Sequence, residues 1–293
     1  MDSNGYLVAD YLDAVRLRGR SPKTVMTYQQ SLGHYLRYLG DRDLTQVSPR
    51  VVRGFLAAEL EAGTAPTSLV RFHGDLRAFY RWCVKEGEVE ASPLDRIPAP
   101  SAPIPHVPTV DSDDVRKLLA VKGRTKFLDA RNKLVLSLLF DTGIRIGELL
   151  NLGVDDVQTS TETIVVTGKT GYRVVGFGAT TATALRRYLR VRSRHARADL
   201  PELFVTVHGP LKYNAVRHML AEACDRAGVP RVRAHQARHT WATRHLEADD
   251  VSDLTVMAAG GWSGTRHLQR YTRTASQRRA AELNRKNSVV DNL

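Results

Sequence analysis

Six prolines fall within the seventeen residues 92–108, SPLDRIPAPSAPIPHVP, and they constrain this chain more than any other feature. Proline fixes φ and removes a backbone donor, so neither a helix nor a central strand runs through such a segment. In the extended form proline-rich chain prefers, at ~3.1 Å per residue, the stretch reaches about 50 Å. The sequence therefore predicts two folded bodies, residues 1–91 and 109–293, joined by a stiff connector. A length of 293 residues suits that division.

The first body reads as helices throughout. Residues 21–40 carry their own punctuation: Ser21 to cap, Pro22 for the first turn, Gly40 to close. Val25, Tyr28, Leu32, Tyr35, Leu36 and Leu39 then share one face. Further helices fit 5–18, 49–62 and about 66–86, the last turning Leu69, Phe72, Leu76, Phe79, Tyr80 and Cys83 inward. Arg16, Arg18, Arg20, Lys23, Arg71, Arg77 and Arg81 fall on outward positions.

The second body is mixed. Asp111 or Ser112 opens a helix to about 121, and an apolar helix runs from Asp129 to Thr142 and ends at Gly143. A short helix follows within 144–152. TETIVVTGKTGYRVVGFG (161–178) alternates around Gly-Lys-Thr-Gly, a β-hairpin signature. Helices fit about 179–196, 212–227, 235–248, 252–259 and 264–271, with a basic tail helix near 274–287. The fold class is mainly α with a small antiparallel sheet.

Charge narrows the partner. Lys plus Arg number 43 against 31 acidic residues, a formal +12, which favours a polyanion and nucleic acid before an anionic membrane. Of those cations 34 are Arg and 9 are Lys. Guanidinium is the better bidentate phosphate partner, and the bias makes each lysine a rarer choice. Cys83 and Cys224 lie in apolar helical patterns and read as reduced core residues. Neither a signal peptide nor an apolar run of the ~18–20 residues that span a bilayer is present, so a soluble cytoplasmic protein is expected.

The densest chemistry lies in AHQARHTWATRHL (234–246), with His235, Arg238, His239, Arg244 and His245 in thirteen residues. Spacing alone leaves a metal site, a solvated helix face and a phosphate clamp open. His235 and His239 share a helix face, as zinc-protease histidines do, but Gln236 stands where that motif needs Glu. Upstream, LLFDTGIRIGELLNL (138–152) sets Arg145 one turn before Glu148, and Lys169 lies at the hairpin tip. Downstream, GGWSGTRHLQRYTR (260–273) carries Trp262 and, nine residues later, Tyr271.

This ordered set resembles the catalytic domain of the tyrosine recombinases, the phage-integrase family. Their pattern is an Arg in TGxRxxEL, a hairpin Lys, HxxRHTxAT, a GHS or GWS step, and a Tyr nine residues on. Arg145, Lys169, His235 with Arg238, Trp262 and Tyr271 match it in order. SPKTVMTYQQSL in the first body is similar to the family's core-binding domain, so the likeness spans nearly the whole chain. Two departures stand out. Trp262 replaces the commoner His. About five residues precede the first helix, so the arm-type domain of larger phage integrases is not expected.

The resemblance implies a metal-free, cofactor-free site-specific DNA recombinase. Its helical core-binding domain and α+β catalytic domain, with tail 274–293, would close as a C-shaped clamp on double-stranded DNA core sites. Tyr271 would be the nucleophile, losing its phenolic proton (pKa near ~10) as it attacks. Arg145 and Arg238 would hold the non-bridging phosphate oxygens, and Trp262 would offer an indole N–H. His235 would share a proton near Tyr271, Lys169 would protonate the departing 5′ oxygen, and Glu148 would orient the site. His239 reads as a structural or supporting residue.

Integration or excision of a viral genome is the first biological expectation, in a bacterial or phage-infected cytoplasm. A chromosome-dimer resolvase or element-borne recombinase is the second. A non-catalytic DNA-binding protein and a metal-dependent nuclease are the readings from other classes. The protein is expected to tetramerise on paired sites and leaves room for a directionality factor. In the tail helix near 274–287, only Ala275, Ala280, Ala281 and Leu283 offer apolar surface. That is too little to hold a helix alone, so docking on a neighbouring protomer is expected.

Overall fold

Three of the first four helices begin on a proline, where the missing N–H is one the helix would leave unpaired anyway. The computed structural model describes residues 3–103, 107–168, 171–248, 251–262 and 264. Its N-terminal helices are α1 (Ser3–Leu17), α2 (Pro22–Leu39), α3 (Pro49–Glu61) and α4 (Pro66–Glu86), with a short 3-10 turn at Leu44–Gln46. The Ser21 hydroxyl accepts the Thr24 N–H at 3.2 Å, the cap its sequence position predicts. Gly87 closes α4 in the left-handed conformation.

The core between these helices is unusually aromatic. Tyr11, Tyr35, Phe55, Phe72, Phe79 and Tyr80 are all buried. Tyr11 meets Phe79 edge-on at 5.3 Å, and Tyr35 meets Phe55 at 5.0 Å. Buried polar atoms find partners: the Tyr80 hydroxyl donates to the Leu44 carbonyl, and the Asn4 side chain accepts the Leu44 N–H.

The chain separates into two compact units, Met1–Pro105 and His106–Leu293. Part of the proline-rich stretch therefore belongs to a core rather than to a connector. Residues 93–96 form a turn, Leu94 and Ile97 are buried in the N-terminal cluster, and His73 Nε2 donates to the Ile97 carbonyl at 3.0 Å. Proline density marks where helices stop. It does not say whether the apolar residues between prolines are used. At the far end, Val110 is buried in the second unit, its N–H donating to Thr240 Oγ1 at 2.9 Å.

The second unit is built around α6 (Lys126–Thr142), whose Leu134, Val135, Leu136, Leu138 and Leu139 are all buried. It packs on α8 (Ala179–Arg192) and α10 (Ala234–Glu247). The helix starts a turn earlier than expected. Thr125 caps it through the Leu128 N–H, and Asp129 instead accepts from the Gly123 N–H and Arg187. α5 (Ser112–Ala120) packs on α9 (Tyr213–Ala227), and α11 (Asp253–Gly260) packs on α10.

The sheet is antiparallel in the order β1 (Val157–Gln158), β2 (Thr163–Gly168), β3 (Gly171–Gly176). The β2–β3 register pairs Val166 with Arg173 and ends at Gly168 with Gly171. A second small hairpin, β4 (Val205–Thr206) with β5 (Gly209–Pro210), and strand β1 are too short for a sequence pattern to mark. The helices expected at 264–271 and 274–287, and the tail that was to dock on a neighbour, lie outside the described residues. No helix among the described residues is long and apolar enough to cross a membrane.

Leu94 and Ile97 give a direct test of where the first unit ends. Leu94→Ala in the full chain should cost about 2–5 kcal/mol, as for other buried Leu→Ala changes, read from the urea midpoint of that unit. A fragment 1–103 should likewise be more stable than a fragment 1–91. Equal midpoints for the two fragments would mean these residues add nothing to the core.

Candidate functional site

The site is assembled from two helix ends and one strand. α6 stops at Gly143, which sits at φ 59°. A Cβ there would come within 2.3 Å of the Trp241 ring of α10, so only glycine allows the close approach. The chain turns through Ile144 into Arg145, the first flanking residue of the short helix α7 (Ile146–Leu150). Glu148 folds back to accept the Arg145 N–H at 3.0 Å, as in a capping box. The same carboxylate accepts Arg145 Nη1 at 2.8 Å.

A second guanidinium shares that carboxylate. Arg173 donates from Nη1 to Glu148 Oε1 at 3.0 Å and from Nη2 to Oε2 at 2.8 Å, a bidentate pair. Sequence reasoning did not select Arg173, although a signal was present. Strand alternation puts residue 173 on the same face as the buried Val175 and Phe177, and an arginine on an inward face calls for a buried acid.

The last turn of α11 closes the site. Its C-terminal carbonyls have no partner within the helix, and three arginines take them in order. Arg173 Nε donates to the Ala259 carbonyl at 2.9 Å, Arg238 Nη2 to Gly260 at 2.6 Å, and Arg145 Nη2 to Gly261 at 2.8 Å. Arg238 also donates from Nη1 to the Gly143 carbonyl at 2.7 Å, which ties α10 to the end of α6. Gly261 is left-handed, and a Cβ there would meet Arg173 Nη1 at 2.9 Å. The Gly-Gly before Trp262 is thus a packing requirement.

The three arginines differ in access. The Arg145 side chain keeps 42% of its surface open, against 14% for Arg173. Arg238 is only 2% exposed, and the Trp262 ring lies 4.4 Å from its guanidinium carbon. Trp262 also packs toward Trp241, with ring centroids 6.2 Å apart. His235 is exposed in the first turn of α10, whereas His239 is buried beside the Thr243 hydroxyl at 3.3 Å. Lys169 and Tyr271 lie outside the described residues.

Electrostatics set Glu148 apart. Burial pushes its carboxyl up, but hydrogen bonds from Arg173 and Arg145 outweigh that and bring it down to about 2. It is therefore ionised, which the two guanidiniums require. The arrangement holds one partly open guanidinium at fixed aim, with a second buried behind it, and suits an anion carrying several oxygens. Among the described residues no three His, Cys, Asp or Glu side chains gather as a metal site.

Comparison with known proteins points the same way. The phage integrase family model matches residues 108–278, and the phage integrase N-terminal SAM-like domain matches residues 8–87. Tyrosine recombinase XerC of Haemophilus influenzae (strain PittEE) is 33% identical over 271 residues, covering 89% of this chain and 90% of the relative. Among solved structures, XerH site-specific recombinase bound to palindromic difH in a post-cleavage complex aligns with a TM-score of 0.76 at 21% identity. That match covers 94% of this chain and 82% of XerH. A lambda integrase tetramer bound to a Holliday junction aligns with a TM-score of 0.69 at 17% identity, covering 89% and 77%. At these identities the two structures show the shared fold.

Glu148→Gln tests the network directly. It would leave Arg145 and Arg173 facing each other without a counter-charge. Breaking a buried pair costs ~3–5 kcal/mol, and the partial exposure of Arg145 favours the lower end, about 3 kcal/mol. A depressed carboxyl stabilises the fold above the usual glutamate range and loses that effect as pH falls through its folded value. The stability gap between wild type and Glu148→Gln should thus be full at pH 7 and shrink from about pH 4.5 toward pH 2. A gap independent of pH would contradict the ionised assignment.

Proposed function

The chain belongs to the phage integrase family, the site-specific tyrosine recombinases that cut and rejoin DNA, and we propose that Arg145, Arg238 and Tyr271 carry its strand cleavage. Tyr271 attacks the scissile phosphorus, a 3′-phosphotyrosine bond forms, and the bond to the 5′ oxygen breaks. His235 takes up the phenolic proton and Lys169 supplies one to the departing 5′ oxygen. The freed 5′ hydroxyl of a partner strand then reverses these steps, so bond energy is conserved and ATP is not consumed.

The observation that carries this reading is the half-open Arg145, aimed by an ionised Glu148 and tied to the turn before Trp262. Charge that builds on the non-bridging oxygens is best met by donors fixed beforehand, because they need no reorganisation during reaction. Arg238, buried against the Trp262 indole, would supply the second guanidinium to the phosphate. DNA core sites as substrate, and a tetramer on paired sites, complete the proposal. Lambda integrase has been seen as such a tetramer on a Holliday junction.

Two cellular uses fit one chemistry. Integration or excision of a viral genome is the first, with a directionality factor as an added partner. Resolution of chromosome dimers, or movement of another element, is the second. Near end-to-end likeness to a recombinase of a bacterium favours it.

Substrate for the test is a duplex enriched from a randomised pool by the full-length protein, then nicked to trap cleavage. Tyr271→Phe should bind this duplex as wild type does and form no covalent adduct. Arg145→Ala should slow adduct formation by about 10²–10³-fold with little loss of affinity, which is spread over many phosphate contacts and steeply salt-dependent. Lys169→Ala should recover on a 5′-bridging sulfur substrate, whose leaving group needs no proton. Adducts in Tyr271→Phe would move the nucleophile elsewhere. Failure of the sulfur rescue would remove Lys169 from its role.

A further inference from the structure

Arg173 is the one guanidinium of the cluster to which the cleavage chemistry assigns no part. It lies on the inward face of β3 opposite Val166 and is mostly covered. Its fork takes both oxygens of Glu148, and its Nε takes the Ala259 carbonyl. It therefore joins three separate elements: the β2–β3 hairpin, the start of α7, and the last turn of α11.

We infer that Arg173 is a positioning residue for strand cleavage, one that sets the aim of Arg145 without touching DNA. This rests on the reading of Arg145 as a phosphate ligand. The geometry carries it in two steps. Arg145 Nη1 and Arg173 Nη1 share one oxygen, Glu148 Oε1, and Arg173 Nη2 joins the Arg145 N–H on Oε2, so Arg173 braces from a separate strand the carboxylate that aims the Arg145 side chain. Gly261, whose carbonyl holds the second arm of Arg145, is packed against the Arg173 guanidinium, with an added Cβ falling 3.1 Å from its Cζ. Both acceptors of the Arg145 side chain thus lie against Arg173. Lysine cannot replace it, because one ammonium cannot span two carboxylate oxygens and a carbonyl on another helix.

The same geometry predicts a pH signature. Among the described residues, the charged groups that hydrogen-bond Glu148 are Arg145, at the start of α7, and Arg173, on β3. With Arg173 neutralised, Glu148 stays buried with one counter-charge fewer, and its carboxyl takes up a proton at higher pH. A protonated Glu148 releases Arg145, so cleavage is lost toward acid pH, a dependence that the wild-type carboxyl, at about 2, does not impose.

The experiment uses full-length protein and the enriched, nicked duplex. Binding and single-turnover adduct formation are measured from pH 5 to 8, below the melting temperature of every variant. Arg173→Lys should bind within about twofold of wild type yet cleave on the order of 10²-fold more slowly, the cost of a small misplacement. The rate of Arg173→Gln relative to wild type should fall as pH is lowered, and adding Glu148→Gln should abolish that trend. Wild-type cleavage by Arg173→Lys overturns the proposal. So does a pH-independent defect in Arg173→Gln, or loss of binding in parallel with cleavage, which would make Arg173 simply structural. If wild type forms no adduct, or Tyr271→Phe still does, the site reading itself fails and takes this proposal with it. Intact wild-type behaviour with an unaffected Arg173→Lys sinks the positioning role alone.

Discussion

Three guanidiniums hold three consecutive carbonyls at the end of α11, and the arrangement of the site depends on that contact. A helix C-terminus presents unpaired carbonyls and the negative end of the helix dipole, so cations are drawn there. Drawing several to one place would be self-defeating without an anion among them. Glu148 supplies it, bonded to two of the three and held ionised by them. The result is mutual: the carboxylate makes the arginine pair tolerable, and the pair keeps the carboxylate charged. Glycines at 143 and 261 permit the tight turns that bring these parts within reach.

This organisation separates two uses of arginine that composition cannot distinguish. Arg192 is buried and donates to the carbonyls of Ala198, Leu200, Glu202 and Leu203, which pins a loop rather than DNA. Arg131 is likewise buried near the Val205 carbonyl and the Phe127 ring. Part of the +12 charge therefore serves the fold. Arg145 is placed for both uses, since two of its side-chain donors are tied to protein while the side chain stays partly open.

Much of the architecture was legible in the chain because its signals are local. Ser21, Pro22 and Gly40 bracket a helix with no help from elsewhere, and the alternation in 163–176 fixes a hairpin. Motif order marked Arg145, Glu148 and Arg238, which the fold brings around one helix end. What stayed hidden depended on distant partners. Leu94 and Ile97 looked like linker because prolines flank them, and only a preformed core gives them a place. Asp129 looked like the start of a helix that Thr125 in fact caps a turn earlier, and its carboxylate is taken by Gly123 and Arg187. Arg173 passed as one strand arginine among 34, since its meaning lies in Glu148, 25 residues away.

In the proposed chemistry a fixed arginine cluster serves attack by Tyr271 on a DNA phosphate. Mass spectrometry of the trapped protein–DNA adduct, after protease and nuclease digestion, tests it most directly. The expected product is a peptide containing Tyr271 that carries a nucleotide through its 3′ phosphate. A nucleotide on any other residue, or linkage through a 5′ phosphate, would contradict it.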